Sequence, residues 1–301
     1  MADFITYSFI GLAIGCIYAL IALGFAIIYK ASEVINFAQG EFLLVGAYAA
    51  SYSMFTWHLP FLLALLIAVA VTVVIGLVFE RFALRRMIGR PVFAIVMVTI
   101  GLDVLLRTGV SVRLGATQIL TAATPFSGAA QTHLGSVIFN NIDVTIVAVT
   151  LACCAALYVF FNRTRFGLAM RATALDQEAA LAIGIDVRTV YALAWGIAGA
   201  VAALGGVLLA ARSGSGAFDI SLGQIALLAF PALILGGLDS IPGSVVGGIL
   251  IGLTYSYANA YEHFFPWPHN GFESAAPFLV MFVILLIRPY GLFGTRKVER
   301  V

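Results

Sequence analysis

The sequence predicts an all-α fold: a polytopic membrane helix bundle of about 8–10 transmembrane helices, with inverted internal repeats and short broken helices. Three observations carry this prediction. Of 301 residues, 62% are hydrophobic and only 10% charged, against about 25% charged in an ordinary soluble domain. Mean hydropathy is +1.07, which several spans produce and one anchor does not. Glycine occurs 30 times, scattered through the apolar runs, where small residues let helix backbones approach closely in lipid.

A helix needs about 20 apolar residues to cross the hydrocarbon core. Apolar runs between charged or turn-rich breaks fall at 4–29, 37–55, 60–80, 92–110, 142–162, 189–211, 223–238, 244–262 and 273–288. The run at 4–29 lacks a basic leader, carries Asp3 instead and is too long for a signal-peptide core, so it reads as a retained first span. Those at 37–55 and 223–238 are short and read as broken or re-entrant. The whole of 1–301 reads as one transmembrane domain, with approximate halves 1–110 and 189–288 and a polar loop at 163–188.

Basic residues orient the spans. With the N-terminus outside, all but three of the 16 Lys and Arg residues lie on the inner side or its loops, leaving Arg107, Arg113 and Arg212 outward. The loop 163–188 is then cytoplasmic, as is the C-terminus. The outer segments 111–141 and 263–272 are rich in turn residues and interface aromatics such as Phe264, Phe265 and Trp267.

Two stretches resemble each other. Asn36-Phe37-Ala38-Gln39-Gly40-Glu41 and Ser221-Leu222-Gly223-Gln224 each place a capping residue three positions before Gln. That spacing predicts a capping box, the cap side chain and the amide satisfying orphan N–H groups. In the charge-derived topology the first helix runs outward and the second inward, so the halves read as inverted copies, a recurring transporter plan. Asn36, Gln39 and Glu41, with Asp219 and Gln224 as counterparts, have two readings. One is local capping, with a first-turn carboxylate at the positive end of the helix dipole. The other is a polar lining for a translocation path.

Other features have plainer expectations. Asp103 and Arg107 are four apart and can pair on one helix face. Glu80 and Arg81 sit at a span end, where snorkelling suffices. Cys16, Cys153 and Cys154 read as packing residues, and the four histidines show no metal-ligand spacing. Gly243, Gly247, Gly248 and Gly252 form small-residue faces for packing within or between chains. In the loop, Ala172–Ala182 are nearly all helix formers, and Gly184 is placed to end that helix. The formal net charge of +2 implies no nucleic-acid partner. Neither lysine, Lys30 or Lys297, lies in a phosphate-binding Gly-x-x-x-x-Gly-Lys motif, and no nucleophile elbow or other catalytic constellation is visible.

Taken together, several stretches resemble the inner-membrane permeases of branched-chain amino acid ABC transporters. They are Gly15–Gly24, Val34–Phe42, Arg165–Ala172, Ala182–Ile185, Leu235–Gly243 and Arg288–Gly294. The loop segment Glu178-Ala179-Ala180 with Gly184 matches the spacing of the coupling helix of such importers. The resemblance implies an importer permease, not an enzyme, in a bacterial inner membrane. It also implies a homologous second permease subunit, two ATP-binding subunits that hold ATP and Mg, and a periplasmic substrate-binding protein. No cofactor is expected in this chain. Asp176, Glu178, Ala179, Ala180 and Gly184 become coupling residues by this likeness. The same architecture also serves urea, short amides and aromatic or other carboxylic acids, and an ion-coupled transporter or channel is the alternative of another class.

Overall fold

The computed structural model describes residues 2–87, 90–114, 120–121, 131–134, 137–212, 217–218, 220–262 and 271–294. Among them run eleven α-helices: α1 (Ala2–Ser32), α2 (Gln39–Thr56), α3 (Phe61–Phe82), α4 (Val92–Leu114), α5 (Asn141–Arg163), α6 (Arg165–Leu175), α7 (Gln177–Ala182), α8 (Val187–Arg212), α9 (Ile225–Gly236), α10 (Ile241–Ala260) and α11 (Phe272–Ile287). Each of the nine apolar runs is one of these helices; α6 and α7 are the loop. Four short strands accompany them: β1 (Leu120–Thr121) pairs with β4 (Ala217–Phe218), and β2 (Gln131–Leu134) with β3 (Val137–Asn140).

Helix ends follow local chemistry. Pro60, extended at φ −64°, precedes α3, because proline tolerates the first helical turn but not the interior. Ser240 caps α10, its hydroxyl accepting from Gly243 N–H at 3.1 Å, with Pro242 in the first turn. The end of α9 is closed from a distance. Gly237 leaves the helix at φ +105°, and the N–H groups of Leu292 and Phe293 donate to the carbonyls of Leu235 and Gly236 at 2.8 and 3.1 Å. Two sequence motifs more than fifty residues apart thereby form one cap, satisfying carbonyls that α9 cannot satisfy itself.

The long helices pack around α1. Within its candidate span 83% is buried, against 11% in α4. Close approach depends on glycine. On α10, Gly248 and Gly252 lie against Ala19 and Gly15 of α1, while Gly243 and Gly247 lie against Gly236 and Ala232 of α9. This small-residue stripe is therefore used inside the chain. On the other flank, Gly46 of α2 meets Ala203 of α8, and Gly199 of α8 meets the Thr72 carbonyl of α3. Helix pairings correspond between the halves: α1 lies on α10 as α8 lies on α3, and α1 touches α9 as α8 touches α2.

One expectation is corrected at the edge. Glu80 does not snorkel. It is 1% exposed and accepts from Arg85, at 3.3 Å from Nε and 3.2 Å from Nη2. The span end is folded back by the 3₁₀ turn Leu84–Arg86, so the neighbouring guanidinium reaches it where water does not.

Candidate translocation site

The short helices begin inside the bundle. Phe37 N–H donates to Thr99 Oγ1 of α4 at 3.3 Å, and Gln39 Nε2 donates to the Ala198 carbonyl of α8 at 3.3 Å. Thr99 and Ala198 lie well within their helices, so the first turn of α2 starts deep in the bundle rather than at its rim. Asn36, Gln39 and Glu41 are fully buried there, where a polar group relies on protein partners.

Asn36 and Gln39 supply some of these partners, but not as the expected capping box. Asn36 Oδ1 accepts from Ala38 N–H at 3.0 Å, an Asx turn, and its Nδ2 donates to Gln39 Oε1 at 3.4 Å. Gln39 is itself the first residue of α2, behind Ala38, which makes no side-chain cap. Its amide spans to α8 across a gap that Gly24 of α1 leaves open. The second stretch starts its helix differently. Ile220–Gln224 is a 3₁₀ turn, and Gln224 takes the position before α9 with helical φ and no side-chain cap. Asp219 lies outside the described residues.

The two broken starts meet at glycine. Gly40 lies against the Gly223 carbonyl, and a side chain at Gly223 would collide with the Glu41 carboxylate, at 2.5 Å from Oε1. Glu41 is 0% exposed. Arg107 of α4 donates to its Oε1 from Nε at 2.9 Å and from Nη2 at 2.6 Å. Glu41 Oε2 is buried without a hydrogen-bond partner. Arg107 also lies 3.6 Å from Asp103, as expected for an i,i+4 pair. That pair is secondary, because the shorter and drier contact is to Glu41.

Beside this cluster is a cavity of about 260 Å³. Asp103, Arg107 and Gln224 give it a polar side, and Phe25, Ile100 and Phe230 an apolar one. Such a mixed lining and size suit a small, partly apolar solute. Of the sequence-predicted pathway residues, Gln224 lines this cavity directly. Asn36, Gln39 and Glu41 stand behind it, all 0% exposed. Arg107 and Asp103 are the functional candidates that sequence reasoning underrated. Two charges inside an otherwise apolar run, toward its outer end, were the available signal.

A second charged pair closes the other end of α8. Arg212 Nε donates to Asp143 Oδ1 of α5 at 2.9 Å, with Asp143 1% exposed.

The loop between α5 and α8 is two helices, not one. Asp176 interrupts the predicted run, adopting extended backbone at φ −158° and accepting from Ala179 N–H at 2.9 Å as the cap of α7. An aspartate favours a cap over a helix interior. Gly184, at φ +87°, ends α7 as expected. Gly184 N–H donates to the Leu181 carbonyl and Ile185 N–H to that of Ala180, each at 3.0 Å, the paired bonds of a Schellman motif. Glu178 and Ala179 are exposed and Ala180 is buried. Leu175, Leu181 and Ile183 are 89%, 54% and 77% exposed. Asp186 starts α8, accepting from Arg188 N–H at 3.1 Å and from the Thr189 hydroxyl at 2.6 Å. These bonds, the Thr189 hydroxyl first, hold its carboxyl below the usual range.

Six helices among the described residues are long and apolar enough to cross a membrane. Together with the short helices that begin inside the bundle beside a mixed polar and apolar cavity, they define a multi-pass membrane protein of the permease class. The chain belongs to the family described as "Branched-chain amino acid transport system / permease component", whose profile matches residues 7–287. It is 31% identical to the high-affinity branched-chain amino acid transport system permease protein LivH of Salmonella typhimurium, over 99% of this chain and 98% of that one. To BraD of Pseudomonas aeruginosa, a permease protein of the same description, it is 29% identical over 97% and 96%. A probable branched-chain amino acid transport permease of Methanocaldococcus jannaschii is 29% identical over 94% and 90%.

Proposed function

We propose that this chain is one of two homologous permease subunits of an ATP-driven importer. It carries branched-chain or other small hydrophobic amino acids delivered by a periplasmic binding protein. Two ATP-binding subunits, holding ATP and Mg, dock on the loop 163–188 from the cytoplasm. The N-terminus is periplasmic and the C-terminus cytoplasmic, in a bacterial inner membrane. The distribution of Lys and Arg supports that orientation.

One observation carries the coupling role. Helix α7 is six residues long and capped at both ends, carries exposed Glu178 and Leu181, and is flanked by exposed Leu175 and Ile183. Apolar side chains on a short, rigid, water-side element are the surface a partner covers. Asp176 and Gly184 hold the element's shape, Ala180 seats it on the bundle, and Glu178 with Ala179 faces outward. Beyond them a cleft of about 880 Å³ is lined by Arg81, Arg85 and Arg188 against the single acid Asp186, an excess of positive charge that suits an acidic face of an ATP-binding subunit.

The path runs between the two broken helix starts. Gln224 belongs to one, and Asn36, Gln39 and Glu41 to the other; Asp219, next to the first in sequence, is proposed as a further pathway residue. The halves 1–110 and 189–288 act as inverted copies rocking about this point. Glu178→Arg tests the assignment: insertion stays intact, while ATP hydrolysis by the assembled complex no longer drives uptake. Unaltered uptake by that variant would remove α7 from the coupling path.

A further inference from the structure

Three charged side chains meet at the polar side of the 260 Å³ cavity: Glu41, Asp103 and Arg107. They are not a closed set. Two carboxylates face one guanidinium, leaving one net negative charge. Arg107 commits Nε and Nη2 to a single oxygen of Glu41, and its side chain is still 38% exposed. A guanidinium has five N–H donors, so several remain directed elsewhere. Asp103 is 22% exposed and lines the cavity with Arg107. The cavity is also lined by Ile100 on the same face of α4 and by Phe25, Leu227 and Phe230 from other segments.

We propose that Asp103 and Arg107 form a zwitterion-selecting station in the pathway. Arg107 receives the α-carboxylate of a passing amino acid on its spare donors, and Asp103 receives the α-ammonium. The apolar side chain lies against Phe25, Phe230 and Ile100. The charge balance selects among ligand classes. A monoanion such as a simple carboxylate meets a net negative cluster and is repelled. An uncharged amide gains no ion pair. A zwitterion places one charge on each partner and leaves the cluster total unchanged. Glu41 acts through Arg107 as a positioning residue: with two donors of the guanidinium held on one oxygen of a fully buried carboxylate, its free edge stays turned to the cavity when the solute leaves.

This station rests on the importer reading, and the two fail separately. The complete complex (both permeases, both ATP-binding subunits and the binding protein) is placed in proteoliposomes, and labelled leucine uptake and ATP hydrolysis are measured together. No ATP-driven uptake of leucine by the wild-type complex would end the importer reading. Given wild-type uptake, Asp103→Asn is expected to lower leucine moved per ATP about tenfold, the loss of one charge-assisted hydrogen bond. Hydrolysis stimulated by the binding protein persists, and Asp103→Glu recovers most of the loss. An unchanged leucine-to-ATP ratio in Asp103→Asn overturns the station. So does a loss that Asp103→Glu shares in full, because the carboxylate would then matter only for shape.

Discussion

Arg107 holds Glu41 by one carboxylate oxygen and leaves the other, Oε2, buried and unbonded. The contact joins the first turn of α2 to the middle of α4, 66 residues later. It is also unequal: Glu41 is 0% exposed and Arg107 38%. The partner that can reach the cavity is the cation.

That inequality predicts an order of damage. Arg107→Leu strands a dry carboxylate and should cost about 3 kcal/mol, the lower end for breaking a buried pair from one side. Glu41→Gln leaves a guanidinium that can turn to the cavity, and should cost about 1 kcal/mol. Thermal unfolding of the purified protein in lipid nanodiscs ranks the two. A larger loss for Glu41→Gln would show that the guanidinium, not the carboxylate, is the group that cannot be left alone.

Gly40→Ala should damage transport more than its one methyl suggests. Its Cβ would collide with the Gly223 carbonyl, and neither backbone can yield without moving a helix start. Overpacking of this kind costs about 1–3 kcal/mol. By contrast, Gly101 of α4 has nothing within 4 Å of an added Cβ, so Gly101→Ala should raise helix stability by up to about 1 kcal/mol. Uptake and unfolding midpoints of the pair separate close approach from helix propensity.

The ends of α7 should be separable from its surface. Asp176→Ala removes a cap and should cost about 1 kcal/mol locally. Gly184→Ala places a side chain at φ +87° and should cost about as much. Both should speed hydrogen exchange of Gln177–Ala182 without changing membrane insertion. Exchange at wild-type rates in both would show that this helix is held by its packing rather than its caps.

Asp186 sets a pH limit on the start of α8. Its folded pKa lies below the unfolded value, through the Thr189 hydroxyl first and then the N–H groups and charge of its neighbours. The stabilisation is therefore fully present above the unfolded aspartate pKa of about 3.9. It is lost as pH falls through the folded value. Exchange protection at Arg188 and Thr189 should be flat from neutral pH to about 5 and fall only below about 4. In Asp186→Asn, that acid-dependent fall should be absent.

Much of the fold was legible because lipid permits few solutions. Runs of apolar residues about twenty long must become helices, and all nine did. Gly184 was readable as a helix end because αL backbone favours glycine. Less was readable where one residue type serves several local geometries. Asn36 and Gln39 bond each other and α8 rather than closing a capping box. Asp176 breaks a run of helix formers because its side chain finds the Ala179 N–H. Glu80 looked like a solvated span end until the 3₁₀ turn carried Arg85 over it.

The sequence alone determined the class of structure, the number of apolar helices, the polar loop and the family, since these depend on composition, periodicity and local spacing. Tertiary structure decided which charges face one another. Glu41 with Arg107, Asp143 with Arg212, and the cap of α9 by Leu292 and Phe293 join residues 57 or more positions apart. Such pairings are set by how glycine-lined helices cross, and no local pattern records where a crossing will fall.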